Sequence, residues 1–574
     1  MKTIKNIFSL IEKKRFNIAF FIIFSSIILA FLELIGIAAI PIYLGFLLNP
    51  DIFLEKFTFL NFINFKTLEK DSLLIYGSAT IICFFVLKNF YSSLNIYLTE
   101  KMFMNVRIDT SIKLLKIYLI KNYDFFLNKN SSIIIRNVTN ETSLAVSFIN
   151  SSFQILKEVS VGLVLLSGMI ILNPVIMLSI LTILILSVYT FNLLTKDRIE
   201  NMSILGRKFR GKLLKILSEM LNTIKIIKLR GNENFFSNKF EKENTKIEKI
   251  RFIVNLMTKL PKHILEIFSV MAILSLMYYF VYFKSTSLEE TLPIIAFFSL
   301  CFIRLLPTIN SLSSNLPNLK STHVSFDYIN NELKNHHTNQ NRQKNNKIEQ
   351  FDFKEINFEN VDFKYPSQNK LVLKDINLKI SKNENISIIG ESGSGKSTLI
   401  DLFMGLQTPN QGKILINGRE INKNLNNWQN SIGYIPQSIY LQDETIEKNI
   451  AFGVPENEIN KKRIQQVIKL AQLNEFVTQL TDKEYTIVGE KGARISGGQV
   501  QRIGIARALY FYPRILIFDE ATSSLDNNTE NKLLNEIEHL KDKYTIVTIT
   551  HKSNVAKRSS KIYEIRENRL SKIS

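Results

Sequence analysis

Six stretches of the chain are apolar over lengths that cross a bilayer, at roughly 17–47, 73–98, 144–172, 174–194, 262–284 and 291–313. The third is the least apolar, and only Asn173-Pro174 separates it from the fourth, which predicts a tight turn there. Polar segments between the spans keep a helical period, as in Leu213, Leu214, Ile216, Leu217, Met220, Leu221 and Ile224. This predicts membrane helices that continue well into the cytoplasm before turning back. Ahead of the first span, Ile4, Ile7, Phe8, Leu10 and Ile11 alternate with Lys2, Lys5, Lys13, Lys14 and Arg15, as in a short helix on the inner leaflet. In the loop at 49–72, Ile52, Phe53, Leu54, Phe57, Leu60, Ile63 and Leu68 recur at helical spacing. That pattern fits a packed cap on the bundle or an amphipathic helix at the outer interface.

The pattern changes after the last span. Residues 331–350 are polar and Asn-rich with no apolar period, so they read as a linker in which His336 and His337 are solvated. From about 352, Ile356, Phe358, Val361 and Phe363, then Leu371, Leu373, Ile376, Leu378 and Ile380, alternate as strands do. The expected organisation is an interfacial helix at 1–16, a transmembrane domain at 17–330, a linker at 331–350 and an α/β domain at 351–574.

Charge fixes the orientation. The formal net charge is +21, a value also found in nucleic-acid binders, but here Lys and Arg flank apolar segments. Arg107, Lys113, Lys116 and Lys121 lie in one inter-span loop and Arg207, Lys208, Arg210 and Lys212 in another, whereas 49–72 and 284–290 carry no excess of cations. The positive-inside rule then puts both termini and both long loops in the cytoplasm, and the partner is a membrane, not nucleic acid. Cys83 and Cys301, the only cysteines, lie in apolar segments and read as small core residues.

Three cations interrupt the spans: Lys88, Lys262 and Arg304. Each costs about 2.5–3.5 kcal/mol near the bilayer centre. At about 1.5 Å per residue, Lys88 and Arg304 both lie roughly 20 Å below the outer face. One account pairs Lys88 with Glu33 and Lys262 with Glu266, leaving the rest to snorkel. Arg304 has no partner in its own span, and Pro307 beyond it predicts a kink. A cytoplasm-facing cavity that receives an anionic head group accounts for all three.

Chemistry is carried by Gly390-Glu391-Ser392-Gly393-Ser394-Gly395-Lys396-Ser397, a G-x-x-x-x-G-K-S loop between the apolar run Ile386–Ile389 and a helical run from Thr398. In that setting backbone N–H groups and a helix N-terminus converge on the phosphates of ATP or GTP. Lys396 reaches the β/γ oxygens and the Ser397 hydroxyl holds Mg²⁺.

With these residues the second half resembles the ATP-binding cassette (ABC) family throughout. The resemblance implies an adenine-stacking role for Tyr365 and a Mg²⁺- and γ-phosphate-sensing role for Gln437. Ile495-Ser496-Gly497-Gly498-Gln499 matches the family signature, with Ile where Leu is usual. Ile515–Glu520 matches the strand ending in two carboxylates: Asp519 holds Mg²⁺ through water and Glu520 polarises the attacking water. Ser524-Leu525-Asp526 matches the loop that crosses between partners, and His551 the γ-phosphate histidine. In this family the signature Ser496, Gly497, Gly498 and Gln499 contact ATP on the opposite cassette, so one cassette with six spans implies a homodimer with ATP and Mg²⁺ as cofactors. The implied fold is an α-helical membrane domain of the ABC exporter type, with six transmembrane helices, fused to an α/β P-loop NTPase cassette. Segments near Tyr123–Ile134 and Leu229–Phe240 occupy the positions of that branch's coupling helices.

Within the branch, Phe31-Leu32-Glu33, Cys83–Leu94, Leu260-Pro261-Lys262 and Ile303-Arg304-Leu305-Leu306-Pro307 resemble bacterial flippases of lipid-linked oligosaccharides in the N-glycosylation pathway. That resemblance implies a polyprenyl-pyrophosphate glycan moved across the inner membrane, with Lys88, Lys262 and Arg304 meeting the diphosphate. Lys88 and Lys262 stand where arginines are expected, which keeps charge but loses the bidentate fork. Rival readings are an exporter of lipid A-like lipids, hydrophobic drugs or peptides and, in a different class, a non-transport cassette ATPase acting on nucleic acid or ribosomes.

Overall fold

The computed structural model describes residues 10–48, 70–172, 208–283, 288–334, 352–366, 370–489, 494–521 and 543–573, with isolated positions within 174–206 and at 492, 535 and 538. The chain divides into two compact units, residues 1–121 with 129–339, and residues 122–128 with 340–574.

Among the described residues the first unit is helical, beginning with α1 Phe16–Leu48 and α2 Lys70–Ile120. After them come α3 Tyr123–Asn128, which packs with the second unit, then α4 Ser131–Arg136 and α5 Thr142–Leu172. Three more follow: α6 Ile224–Arg230, α7 Glu233–Phe283 and α8 Leu288–Lys334. In α1 the buried positions Ile22, Ser25, Ser26, Leu29, Ala30, Glu33, Gly36 and Ile37 recur every three or four residues, one helical stripe. Phe20, Phe21, Phe24 and Phe31 lie on the exposed remainder. A helix apolar on its outer face as well as its inner one is matched to lipid rather than water. Ala30 and Ile37 pack with Val161, Leu165 and Met169 of α5 and Phe298, Cys301 and Phe302 of α8. Small residues let the helices approach: a Cβ on Gly36 would meet Phe84 at 3.2 Å, and one on Gly168 would meet Leu34 at 2.6 Å.

Among the described residues four helices are long and apolar enough to cross a membrane, starting at Phe16, Leu74, Ile133 and Leu292. The expected span at 174–194, the loop at 49–69 and most of the linker lie outside the described residues. Several boundaries differ from expectation. Most of the expected interfacial helix, residues 1–9, lies outside the described residues, and Lys13–Arg15 is a 3₁₀ turn that leads into α1. Helix α8 continues to Lys334, into the stretch read as linker, where Glu332 pairs with Lys129 at 3.5 Å. The coupling segment at 123–134 is two helices, α3 and α4. The one at 229–240 is no helix of its own, since Gly231 adopts φ +61° as a left-handed cap that ends α6 before α7 begins. Cys301 is buried but Cys83 is exposed on the outward face of α2, so only one of the two is a core residue.

The second unit holds two sheets. β1 Glu355–Phe363, β2 Leu373–Ser381, β4 Gln411–Ile416 and β5 Arg419–Glu420 form an antiparallel sheet ordered β2-β1-β4-β5. The larger sheet contains β3 Asn385–Gly390, β6 Ile432–Ile435, β7 Ile515–Asp519, β8 Thr545–Ile549, β9 Lys561–Arg566 and β10 Arg569–Lys572. Its order is β10-β9-β3-β8-β7-β6, parallel throughout except for the β9–β10 hairpin. Helix α9, Lys396–Phe403, packs with both sheets in one core that includes Trp428. A second core, around α10 Lys461–Leu470 and α11 Gly497–Tyr510, includes Ile446, Ile464, Val467 and Ile503. Buried on both faces, the central strands carry near-continuous Ile, Leu and Val, as parallel sheets require.

Candidate functional site

Register places the chemistry. Ile388 on β3 lies beside Ile549 on β8, Ile549 beside Asp519 on β7, and Phe518 beside Ile435 on β6. The carboxyl ends of four adjacent parallel strands are therefore level, and ligands of open α/β sheets bind at such an edge. Across it stand the Gly390–Ser397 loop after β3, His551 after β8, Asp519 and Glu520 ending β7, and Gln437 after β6.

The loop has the backbone its glycines permit, with Gly393 at φ +82° and Gly395 at φ +103°. A Cβ on Gly395 would also meet Leu373 at 3.0 Å. Lys396 is buried, and its ammonium donates to the carbonyls of Gly390 and Glu391, both at 2.8 Å, across the ring of the loop. The Ser394 hydroxyl is buried with no hydrogen-bond partner. Gly395 caps α9, so that helix aims its N-terminus into the loop while Glu391, Ser392 and Ser397 face solvent. A cradle of backbone donors around an ammonium, with an orphaned hydroxyl, fits a polyphosphate.

Glu520 is held in a costly conformation, φ +48° on a non-glycine residue. Its amide donates to the Ile549 carbonyl at 3.0 Å. Gln437 Nε2 donates to Glu520 Oε2 at 2.7 Å, and His551 Nδ1 lies 3.7 Å from Oε1. The carboxylate is thus held by Gln437, with the His551 ring close to its other oxygen. Burial, reinforced by Glu520, pushes the Asp519 carboxyl above its ordinary range, against the opposing hydrogen bond from Tyr434. Two successive carboxylates on the sheet edge that also carries the phosphate loop, one of them pushed up by burial, fit a hydrated divalent cation.

Two expected positions look different in three dimensions. The Tyr365 hydroxyl shares a 3.0 Å hydrogen bond with Thr398 Oγ1, and the ring sits edge-on to Phe363 at 5.0 Å, so it lies over the first turn of α9. Ser496 caps α11 in a reciprocal capping box with Gln499, and Ser496 and Gly497 are exposed beside Gly498. Ile495 packs on the α10–α11 core, so the exchange of Leu for Ile keeps an aliphatic contact. Ser524, Leu525 and Asp526 lie outside the described residues.

Sequence reasoning missed four contributors in this unit. Tyr434 donates to Asp519 Oδ2 at 2.9 Å. Gln407 donates to Asp124 of α3 at 2.5 Å. Asp401 on α9 is pushed up to about 6 by burial, then by Asp519 and Asp124. Tyr434 alone left a sequence signal, an aromatic on the outward phase of an otherwise buried strand.

In the helical unit, Lys88 and Arg304 converge on Glu33. Lys88 Nζ donates to Glu33 Oε2 at 3.3 Å, Arg304 Nη2 donates to Oε1 at 3.1 Å, and Arg304 Nε lies 3.0 Å from Oε2. The two cations do share one level, and Arg304 finds on α1 the partner its own span lacks. One carboxylate against two cations leaves a net single positive charge within the helical unit. Lys88 also sits over the Phe85 ring at 5.0 Å. The Lys262 side chain lies outside the described residues.

A helical membrane-type unit joined to a cassette with this strand order and loop is the ABC exporter fold. A solved structure, a bacterial Atm1-family ABC exporter with ATP bound, superposes with a TM-score of 0.73 over 96% of this chain and 94% of that one, at 20% sequence identity. Residues 373–523 match the family described as ABC transporter. An export ATP-binding/permease protein of Rickettsia typhi is 43% identical over 199 residues, 34% of this chain and 34% of its own. The leukotoxin export ATP-binding protein LtxB of Aggregatibacter actinomycetemcomitans is 41% identical over 209 residues, 36% of this chain and 29% of its own. The alpha-hemolysin translocation ATP-binding protein HlyB of Escherichia coli O157:H7 is 40% identical over 209 residues, with the same coverage. The chain thus spans about a third of the length of the curated relatives it matches.

Proposed function

We propose that the chain is half of an ATP-driven exporter that works as a homodimer in a bacterial inner membrane. The observation that carries this reading is the level edge at which Lys396, Gln437, Asp519, Glu520 and His551 meet, in a chain whose helices are built for lipid. Lys396 and the loop amides bind the β- and γ-phosphates of ATP, with Thr398 in the first turn of the helix that faces them. Mg²⁺ held by Ser397, Gln437 and Asp519 supplies neutralisation of phosphate charge. Glu520 accepts a proton from the attacking water while His551 and Gln437 orient that carboxylate. Tyr365 swings from Thr398 to stack on adenine, and Ser496, Gly497, Gly498 and Gln499 meet the partner's nucleotide through the N-terminus of α11. Closure of the two cassettes drives the spans and hydrolysis resets them.

For the cargo we propose a lipid with an anionic head, of the polyprenyl-pyrophosphate glycan class. The net positive charge of the Glu33–Lys88–Arg304 cluster within the spans supports it, together with Lys262 near the inner edge. The names of LtxB and HlyB favour a second reading, export of a polypeptide toxin. ATP-dependent translocation in reconstituted vesicles, offered a panel of lipid-linked sugars and separately an unfolded polypeptide, decides between them. Transport of the polypeptide with no lipid-linked sugar moved removes the first.

A further inference from the structure

The strand that delivers Gln437 makes a second contact with the acidic end of β7. β6 and β7 are parallel, with Tyr434 beside Ile517 and Ile435 beside Phe518. Strand alternation buries Gly433 and Ile435 and turns Tyr434 to the opposite, solvent-facing side. From there its phenol donates to Asp519 Oδ2 at 2.9 Å. Three residues later Gln437 donates to Glu520 Oε2 at 2.7 Å. One short segment therefore grips both successive carboxylates, each by a single oxygen. Gly433 keeps it close: a Cβ there would meet Leu516 at 2.8 Å and the Ala508 carbonyl at 3.0 Å, so β6 lies tight against β7 and α11.

We infer that Tyr434 is a positioning residue for the metal site, an inference that rests on the reading of Asp519 as the carboxylate of hydrated Mg²⁺. With Oδ2 tied to the phenol, the carboxylate cannot rotate freely and presents Oδ1 to the cation's water shell. Because Tyr434 and Gln437 share one segment, any displacement of that segment shifts the metal carboxylate and the water-activating carboxylate together.

The test uses full-length protein in detergent, Mn²⁺ in place of Mg²⁺ and a non-hydrolysable ATP analogue, with bound Mn²⁺ counted by electron paramagnetic resonance. Tyr434→Phe removes one hydrogen bond to a charged acceptor and keeps the ring, so the Mn²⁺ concentration at half-saturation should rise about tenfold. Analogue binding in EDTA should stay within about twofold of wild type, which separates this inference from the nucleotide-site reading itself. Tyr434→Leu should give the same metal shift as Phe. Half-saturation unchanged in Tyr434→Phe overturns the inference, as does a shift seen only in Tyr434→Leu, which assigns the effect to ring packing. Equal losses with and without metal also overturn it, by making Tyr434 a general support of the loop. If no variant, wild type included, binds the analogue, the nucleotide-site reading fails first.

Discussion

Neutralising Glu33 should destabilise the helical unit far more than removing either cation it holds. Lys88 and Glu33 have side chains only 9% and 10% exposed and Arg304 29%, so the Lys88–Glu33 pair is the more poorly screened. Both cations approach the same oxygen, at 3.3 and 3.0 Å, and so lie no more than about 6 Å apart. At an effective dielectric of about 20, each attraction is about 5 kcal/mol and the repulsion between the cations about 3 kcal/mol. Lys88→Met gives up one attraction but relieves the repulsion, and Arg304 keeps its two-point hold on Glu33. The expected cost is about 1–2 kcal/mol. Glu33→Gln gives up both attractions and leaves buried Lys88 facing half-buried Arg304, for which about 3–5 kcal/mol is expected. At about 2–4 °C per kcal/mol this is a fall in Tm of at least about 6 °C. Circular dichroism of detergent-solubilised protein reads it. The double variant Glu33→Gln/Lys88→Met should recover part of the loss, since one lone cation replaces two. A Lys88→Met protein that melts at or below Glu33→Gln refutes the reasoning, as does a Glu33→Gln protein within 1 °C of wild type.

Two further predictions concern the cassette. Asp401 is held at about 6 against its ordinary 3.8, so the folded protein binds more protons than the unfolded one between those values and stability falls as pH rises through the interval. That interval sets a ceiling of about 3 kcal/mol, and partial exposure of Asp401 reduces the expectation to about 1 kcal/mol. Melting in EDTA should show Asp401→Asn gaining on wild type at pH 7.5 but not at pH 4; an equal difference at both pH values contradicts this. If the nucleotide sites are composite, co-assembling Lys396→Ala and Ser496→Arg chains gives half heterodimers, each with one intact site. ATPase should then recover to about a quarter of wild type although each variant alone is inactive. Recovery absent from a demonstrably mixed dimer counts against action in trans.

The phosphate loop was legible in sequence because its chemistry is local: eight consecutive residues, a strand before and a helix behind suffice. The level edge was partly legible, since each strand's apolar run announces its own end, but the order β3-β8-β7-β6 that aligns those ends is a tertiary fact. Tyr434 and Asp519 are 85 residues apart and Arg304 and Glu33 are 271 apart, and no periodicity within one segment foretells such pairs. Asp401 looked like an ordinary helix-face carboxylate, and its burial depends on Asp124 and Asp519 arriving from other elements. Cys83 was misplaced for a related reason. In a lipid-facing helix both faces are apolar, so hydropathy cannot say which side is core.

Turnover of ATP by purified Glu520→Gln protein tests the central claim most directly. The account predicts that the variant still binds Mg²⁺·ATP while hydrolysis falls by about a hundredfold or more, as expected when a positioned general base is lost. Hydrolysis at the wild-type rate would contradict it.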